Sequence, residues 1–275
     1  MYSNLISESV LVSDTVSLLR SHNGKASAVN IVDLVMKIRR PERTIARELV
    51  KELVEHDPRL QLNGDTVELI DTEYGSRGLD DAEFVVFDLE TTGAQAPPDR
   101  ITEIGAFRVK NGEVTEDFHT LVNPGQPIPR FITELTGIND DMVAEAPHFA
   151  DIAGEFLQFI GDSVLVAHNS GFDMRFLDHE IGLVFPEHRV ANPCLCTVQL
   201  SRRLLPHIAN HKLKTVAEHY SIDLVDHHRA KADAYATAHI FVNLLMKIRD
   251  EGVNDISGLR QFSSRNNKYA KRLYA

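Results

Sequence analysis

The chain has 275 residues, 43% of them apolar, with a formal net charge of −11. This is enough chain for more than one small domain; no apolar run approaches the ~20 residues of a membrane span, and the N-terminus lacks a basic-then-apolar signal pattern, so the expected setting is cytoplasmic. The acid excess argues against a generic polyanion-binding surface, and with two cysteines, 13 histidines and no Cys-x-x-Cys pair a structural zinc site is not expected.

Residues 1–70 read as a small domain of their own. Helical periodicity covers 5–20 and 28–38, Arg39-Arg40-Pro41 turns the chain, and 42–55 forms a third helix burying Ile45, Leu49 and Leu53. Leu60-Gln-Leu-Asn-Gly-Asp-Thr-Val-Glu-Leu-Ile70 then reads as a hairpin around Asn63-Gly64. Three helices and a hairpin imply a winged-helix-like domain. Arg43, Arg47 and Lys51 recur every four residues on one helix face, a candidate stripe for DNA phosphates. Glu48 and Glu52 interleave with it, so a protein-binding reading stands beside the DNA-binding one. Residues 71–81, with two glycines and four acids, are the expected linker.

From 82 to 250 the pattern changes to alternating strands and helices. Strands are expected at 84–88, 104–109, 118–122, 164–167 and, more weakly, 195–197, with Asn111-Gly112 as a hairpin turn between the second and third. Helices are expected at 149–160, 172–181, 198–205, 213–220 and 230–248. This is an α/β domain with a mixed five-stranded sheet flanked by helices. Cys194 and Cys196 fall in its weakest strand and read as buried thiols, with half a metal site as the alternative. Residues 251–275 are a tail, basic from Ile256 onward, that reads as a phosphate contact, a solvated terminus or a linker.

The chemistry is carried by Phe84-Val-Val-Phe-Asp-Leu-Glu-Thr-Thr-Gly93. Side chains two apart on a strand share a face, so Asp88 and Glu90 converge in one small volume at the end of an apolar strand. Two like charges so placed require a counter-ion, and for hard oxygen ligands that is a divalent cation such as Mg²⁺ or Mn²⁺. Three other Asp-x-Glu triplets, Asp71/Glu73, Asp81/Glu83 and Asp178/Glu180, lack this context and read as solvated surface. Asp173 falls in the first turn of the helix opening around Phe172, where an acid also simply complements the helix dipole. Asp233 lies near the start of the Ala-rich helix, with His228 in the loop before it.

Phe87-Asp-Leu-Glu-Thr-Thr-Gly93, His168-Asn-Ser-Gly-Phe-Asp173 and His228-Arg-Ala-Lys-Ala-Asp233, in that order, resemble the three motifs of the DnaQ-like exonucleases of the Asp-Glu-Asp-Asp type. This is the family of the proofreading subunit of bacterial DNA polymerase III. Asp99-Arg-Ile-Thr-Glu-Ile-Gly105, Leu121-Val-Asn-Pro-Gly-Gln-Pro-Ile-Pro129 and Leu135-Thr-Gly-Ile-Asn139 are similar as well. Arg229 stands where the tyrosine branch has its Tyr, so the resemblance is to the branch with histidine. It implies a ribonuclease H-like fold and 3′→5′ hydrolysis of a nucleic acid by two divalent metal ions, Mg²⁺ or Mn²⁺, with no organic cofactor. By that resemblance Asp88 bridges the ions, Glu90 and Asp233 complete the site of the attacking water, Asp173 holds the second ion and His228 is the general base. Leu89, Thr91 and Thr92 would lie by the terminal nucleotide, and His168, Asn169 and Phe172 would flank the strand. Phe172 reads equally as a core anchor, and His168 as bonded within its turn. The leading expectation is a DNA exonuclease of proofreading or repair, associated with a polymerase or repair complex. The alternatives are an RNA-trimming enzyme with the same chemistry and a subunit acting mainly as a scaffold.

Overall fold

The computed structural model describes residues 2–55, 57–70, 77–225 and 227–264. In chain order they form β1 (Leu5–Ser7), α1 (Val10–Ser21), β2 (Lys25–Ser27), α2 (Ala28–Leu34), α3 (Arg43–Glu55), β3 (Leu60–Asn63) and β4 (Thr66–Leu69). There follow β5 (Glu83–Thr91), β6 (Ile101–Lys110), β7 (Glu113–Leu121), α4 (Arg130–Thr136), α5 (Asp140–Val143), α6 (Phe149–Ile160) and β8 (Val164–Ala167). The remainder are α7 (Ser170–Val184), β9 (His188–Val190), β10 (Cys194–Cys196), α8 (Thr197–Leu204), α9 (Leu213–His219), α10 (Ala230–Asp250) and α11 (Ile256–Ser264). The chain divides into two compact units, one of residues 1–73 and 181–191, the other of 74–180 and 192–275.

In the first unit Ser9 and Ser27 start α1 and α2 as N-caps, their hydroxyls accepting from Val12 N and Asn30 N. Behind the helices lies an antiparallel sheet in the order β2-β4-β3. Pairing of Asn63 with Thr66 makes Gly64-Asp65 the two-residue hairpin loop, with Gly64 at φ 63°. Residues 5–7, expected as helix, are instead a strand paired antiparallel with β9, Leu5 opposite Val190. The buried Asp57 carboxylate takes the Ser7 N–H and the Arg59 guanidinium. Along α3 the buried face is Ala46 and Val50, with Leu49 and Leu53 half-buried. Ile45, expected in the core, is 54% exposed: the face that meets α2 and β3 is turned one residue along the helix. Arg43 pairs with Asp65, while Arg47 and Lys51 are exposed.

The second unit is built on a sheet ordered β10-β8-β5-β6-β7, parallel on the β8 and β10 side and antiparallel on the other. Asn111 and Gly112, both at positive φ, make the β6–β7 turn. Alternate residues of β5 serve opposite faces. Phe84 and Val86 pack with α8, α9 and α10, whereas Phe87 meets Phe156 of α6. Asp88 and Glu90 continue the Phe84/Val86 face, so the stripe toward α10 turns from apolar to acidic along one strand. Phe241 packs edge-on against Phe84 at 4.9 Å. Eight helical residues back from Phe241, about 12 Å at ~1.5 Å each, stands Asp233; four strand residues on from Phe84, about 13 Å at ~3.3 Å each, stands Asp88. Helix and strand thus carry the two acids to the same level.

Two terminal expectations change. Of the expected linker, 71–76 lie outside the described residues, but 77–81 belong to the second unit: Leu79 is buried and its N–H donates to Asn254 O. Of the expected tail, 256–264 form α11, which buries Ile256 and Leu259; 265–275 lie outside the described residues. Glu180, expected at the surface, is buried with a bidentate bond from Arg100 at 2.7 Å. Glu83 is half-buried and bonded to Arg108 and Lys110.

The start of α10 approaches β6 at Gly105, where a Cβ would overlap the backbone of Ala230 and Lys231. Backbone on both sides leaves no flexible group to yield. Gly105→Ala is therefore expected to destabilise the protein by about 2–3 kcal/mol, the upper part of the overpacking range, as measured by urea unfolding.

Candidate active site

Three elements deliver the four acids. β5 presents Asp88 and Glu90, the first turn of α7 presents Asp173, and the first turn of α10 presents Asp233. Carboxylate oxygens of Asp88, Glu90 and Asp233 all lie within 4.8 Å of one another. Asp173 approaches from the side of β5 where pairing with β8 ends at Val86, and it accepts a hydrogen bond from the Leu89 N–H. Its Oδ2 is buried without a hydrogen-bond partner. A buried carboxylate oxygen left so is costly unless a cation completes it.

The titration behaviour has the same origin. Asp88 is pushed well above the usual carboxylate range by burial and then by Asp173, Glu90, Asp233 and Glu103. Glu90 is pushed up to about 8 by burial, Asp233, Glu103 and Asp173. Burial carries Asp173 up to about 7, against hydrogen bonds from its own and the Leu89 backbone N–H. The Arg229 guanidinium opposes the rise at Glu90, but it is engaged with Glu103, at 2.8 and 3.1 Å. Oxygen-only donors, mutual repulsion and an unpartnered oxygen together fit a divalent cation.

Beside the acids, His227 Nδ1 lies 2.9 and 3.0 Å from the two Asp233 oxygens. The His228 N–H donates to Asp233 Oδ2 at 3.2 Å, its ring stacks on that of His227 at 3.9 Å, and its φ is 68°. Burial and then His227 lower the His228 pKa, with Asp233 opposing. Both histidines therefore stand against the acid cluster; the sequence pattern pointed to His228 alone.

The six expected substrate contacts are placed differently from one another. Leu89, Thr91 and Thr92 are buried. The Thr91 hydroxyl donates to Gly93 O, and Thr92 Oγ1 accepts from Arg100 N and Gln126 Nε2, so these side chains are taken up in shaping the loop. His168 bonds Thr197 Oγ1 at 2.9 Å and His211 O at 3.1 Å, outside its own turn. The carbonyl can only accept, so Nε2 donates; burial first, with the neighbouring histidines, lowers the His168 pKa to about 4 and keeps it neutral. Asn169 is exposed at φ 80°, and Phe172 is half-buried against Phe176 at 4.9 Å. A cleft of about 830 Å³ lined by Glu103, His119, Arg229, Tyr235 and His239 includes none of the four acids.

Sequence reasoning missed Glu103, which is fully buried and bonded to Arg229, His119 and Ala230 N. The signal was present: an acid inside the apolar run Ile101–Lys110 is the feature that singled out Asp88.

Residues 85–241 match the RNase T family, described as Exonuclease. Among curated proteins the chain is 44% identical over 180 residues to DNA polymerase III PolC-type of Caldanaerobacter subterraneus subsp. tengcongensis, covering 64% of this chain and 12% of that one. It is 38% identical over 195 residues to the PolC-type polymerase of Bacillus subtilis, covering 71% and 14%. The chain thus spans about an eighth of the length of these relatives. Among solved structures it resembles Exonuclease X in complex with 5′ overhanging duplex DNA, with 26% identity, a TM-score of 0.53 and coverage of 66% of this chain and 99% of that one.

Raised carboxyl pKa values favour the folded state where the groups are protonated, and that contribution is lost as pH rises through the folded values. For Glu90 and Asp173 the loss extends to about pH 8 and 7. In chelator, the contribution of these groups should fall between pH 5.5 and 8, and Mg²⁺ should raise the melting temperature more at pH 8 than at pH 5.5. Asp88→Asn should raise the metal-free melting temperature at pH 8 and shrink the Mg²⁺ increment. Thermal denaturation at the two pH values checks all three.

Proposed function

The chain belongs to the exonuclease family matched by residues 85–241, and from that premise we propose that it removes nucleotides from DNA 3′ ends as nucleoside 5′-monophosphates, in proofreading or repair. The observation that carries this reading is the acid cluster with the unpartnered Asp173 oxygen. Asp88, Glu90, Asp173 and Asp233 would hold two divalent ions, Mg²⁺ or Mn²⁺. Bound there, the ions supply a lowered water pKa and neutralisation of charge on the attacking and leaving oxygens.

The chain's own residues do the remaining work. His228, with its pKa lowered by burial and His227, is neutral at physiological pH and takes the proton of the attacking water. Asp233 holds the His228 backbone. Exposed Asn169 and half-buried Phe172 flank the departing strand, while the Thr91-Thr92 loop offers backbone rather than side-chain groups to the terminal nucleotide. DNA is favoured because the relatives are named as DNA polymerases and the similar solved exonuclease is held on duplex DNA. The same names support association with a replicative polymerase or repair complex. No helix among the described residues is long and apolar enough to cross a membrane, in keeping with a cytoplasmic enzyme.

We read residues 1–70 as winged-helix-like, supported by their three helices and three-stranded sheet. The DNA-facing candidates on α3 are Arg47 and Lys51, Arg43 being paired with Asp65. Arg47→Glu with Lys51→Glu should weaken binding to a tailed duplex and flatten its salt dependence, leaving hydrolysis of short single strands unchanged. Unchanged affinity and salt slope would assign this unit to protein binding.

Matched 3′-labelled DNA and RNA oligonucleotides test the chemistry. DNA should be degraded faster, excess chelator and Asp88→Asn should each nearly abolish turnover, and His228→Ala should lower kcat about a hundredfold with little change in KM. His227→Ala should have the smaller effect. Faster degradation of RNA would transfer the proposal to RNA trimming, and full activity in chelator would end it.

A further inference from the structure

α10 begins without a side-chain cap of its own. Its N-cap residue is Arg229, whose side chain makes no capping hydrogen bond to the helix. The cap comes from another element. Glu103 of β6 accepts the Ala230 N–H on Oε2 at 2.9 Å. The same oxygen takes Arg229 Nε at 3.1 Å, and Oε1 takes Arg229 Nη2 and His119 Nε2, each at 2.8 Å. Two oxygens with four donors have no acceptor capacity left over. Burial alone would raise the Glu103 pKa, but the bonds from Arg229, His119 and Ala230 hold it below the usual carboxylate range. It is thus a fixed negative charge at a helix N-terminus, where the backbone dipole favours one.

The bonded segment is the one that bears the chemistry. His228 lies two residues before Ala230, and Asp233 lies one helical turn beyond Arg229, whose carbonyl accepts the Asp233 N–H at 3.0 Å. With Gly105 admitting the helix backbone to the strand, Glu103 sets where α10 starts relative to Asp88 and Glu90, which β5 carries alongside β6. On the reading that these acids bind the ions, we infer that Glu103 is a positioning residue of the reaction. It touches neither metal nor substrate, and acts by holding Asp233 and His228 in register with the β5 acids through the α10 N-terminus.

Glu103→Gln preserves the shape but sets an amide NH₂ against two of the four donors, so the start of α10 should loosen while the sheet persists. The test is a Mn²⁺ titration of the full chain, followed by the free-ion EPR signal, beside steady-state degradation of a 3′-labelled DNA strand. Partners that orient a metal ligand are worth about 10–100-fold in metal affinity. We expect the Mn²⁺ half-saturation of Glu103→Gln to rise about tenfold or more and kcat to fall, with KM for DNA little changed. Excess Mn²⁺ should restore part of the rate. A purely structural carboxylate would lower the melting temperature and leave the half-saturation of the folded protein unmoved.

If Glu103→Gln does not fold, Arg229→Lys, at a side chain one third exposed, keeps the charge but loses the paired donors and should shift the half-saturation in the same direction. Wild-type half-saturation and kcat in a folded Glu103→Gln, or in Arg229→Lys where that is the folded variant, would overturn the inference. Equal Mn²⁺ binding by wild type and Asp88→Asn would instead overturn the reading of the acid cluster on which it rests.

Discussion

Mutual repulsion among Asp88, Glu90, Asp173 and Asp233 is the constraint around which the second unit is arranged. Left to themselves, four carboxylates would spread into solvent, where the Coulomb cost is small. The fold prevents this by attaching each to an element whose position is determined by something else: β5 by pairing on both sides, α7 by burial of Phe176 and Leu177, and α10 by its apolar face on the sheet. The energy to hold the acids together comes from the apolar cluster of Phe84, Val86, Phe107, Phe241 and their neighbours. At ~25 cal/mol per Å² of buried apolar surface, a core of that size tolerates a local electrostatic cost of the kind that a bound cation would remove.

Two further buried carboxylates show the contrast. Glu103 and Glu180 are as deeply enclosed as any of the four acids, yet each is given an arginine in bidentate geometry and a backbone N–H, Ala230 for one and Ile101 for the other. Fully bonded acids of this kind hold elements together; the incompletely bonded ones are available for chemistry. Charge satisfaction, rather than burial or residue type, separates the two sets. His168 repeats the distinction among histidines, since both its ring nitrogens are spent inside the protein while His227 and His228 stand at the acids.

Much of this was legible in the residues themselves. The apolar run at 84–88 located the central strand, and the two-residue period of a strand put Asp88 and Glu90 on one face; the Ala-rich run after His228 located α10; Asn111-Gly112 located a turn; and Val164–Ala167 and Phe149–Ile160 fall where the pattern put them. These are local patterns, repeating every two or 3.6 residues, and they survive whatever packs against them. The readings that changed depend on partners distant in the chain. Residues 5–7 are a strand because β9, more than 180 residues later, pairs with them, and Ile45 is exposed because α2 and β3 meet α3 at Ala46 and Val50. Glu180 is buried because Arg100 reaches it.

By itself the sequence determined the order and kind of the main elements of the second unit, singled out the four acids and the His228 that the fold brings together, and pointed to the exonuclease family, because each rests on neighbouring residues or on motifs of a few residues. Only the tertiary structure decided which acids are satisfied and which remain open, that His227 also meets Asp233, and that Glu103 caps a helix whose first residues lie 126 and 127 positions away. The physical reason is that hydrogen bonds and ion pairs across such separations leave no periodic trace in the chain. They exist only once the apolar faces of β5, β6 and α10 have brought those groups within reach of one another.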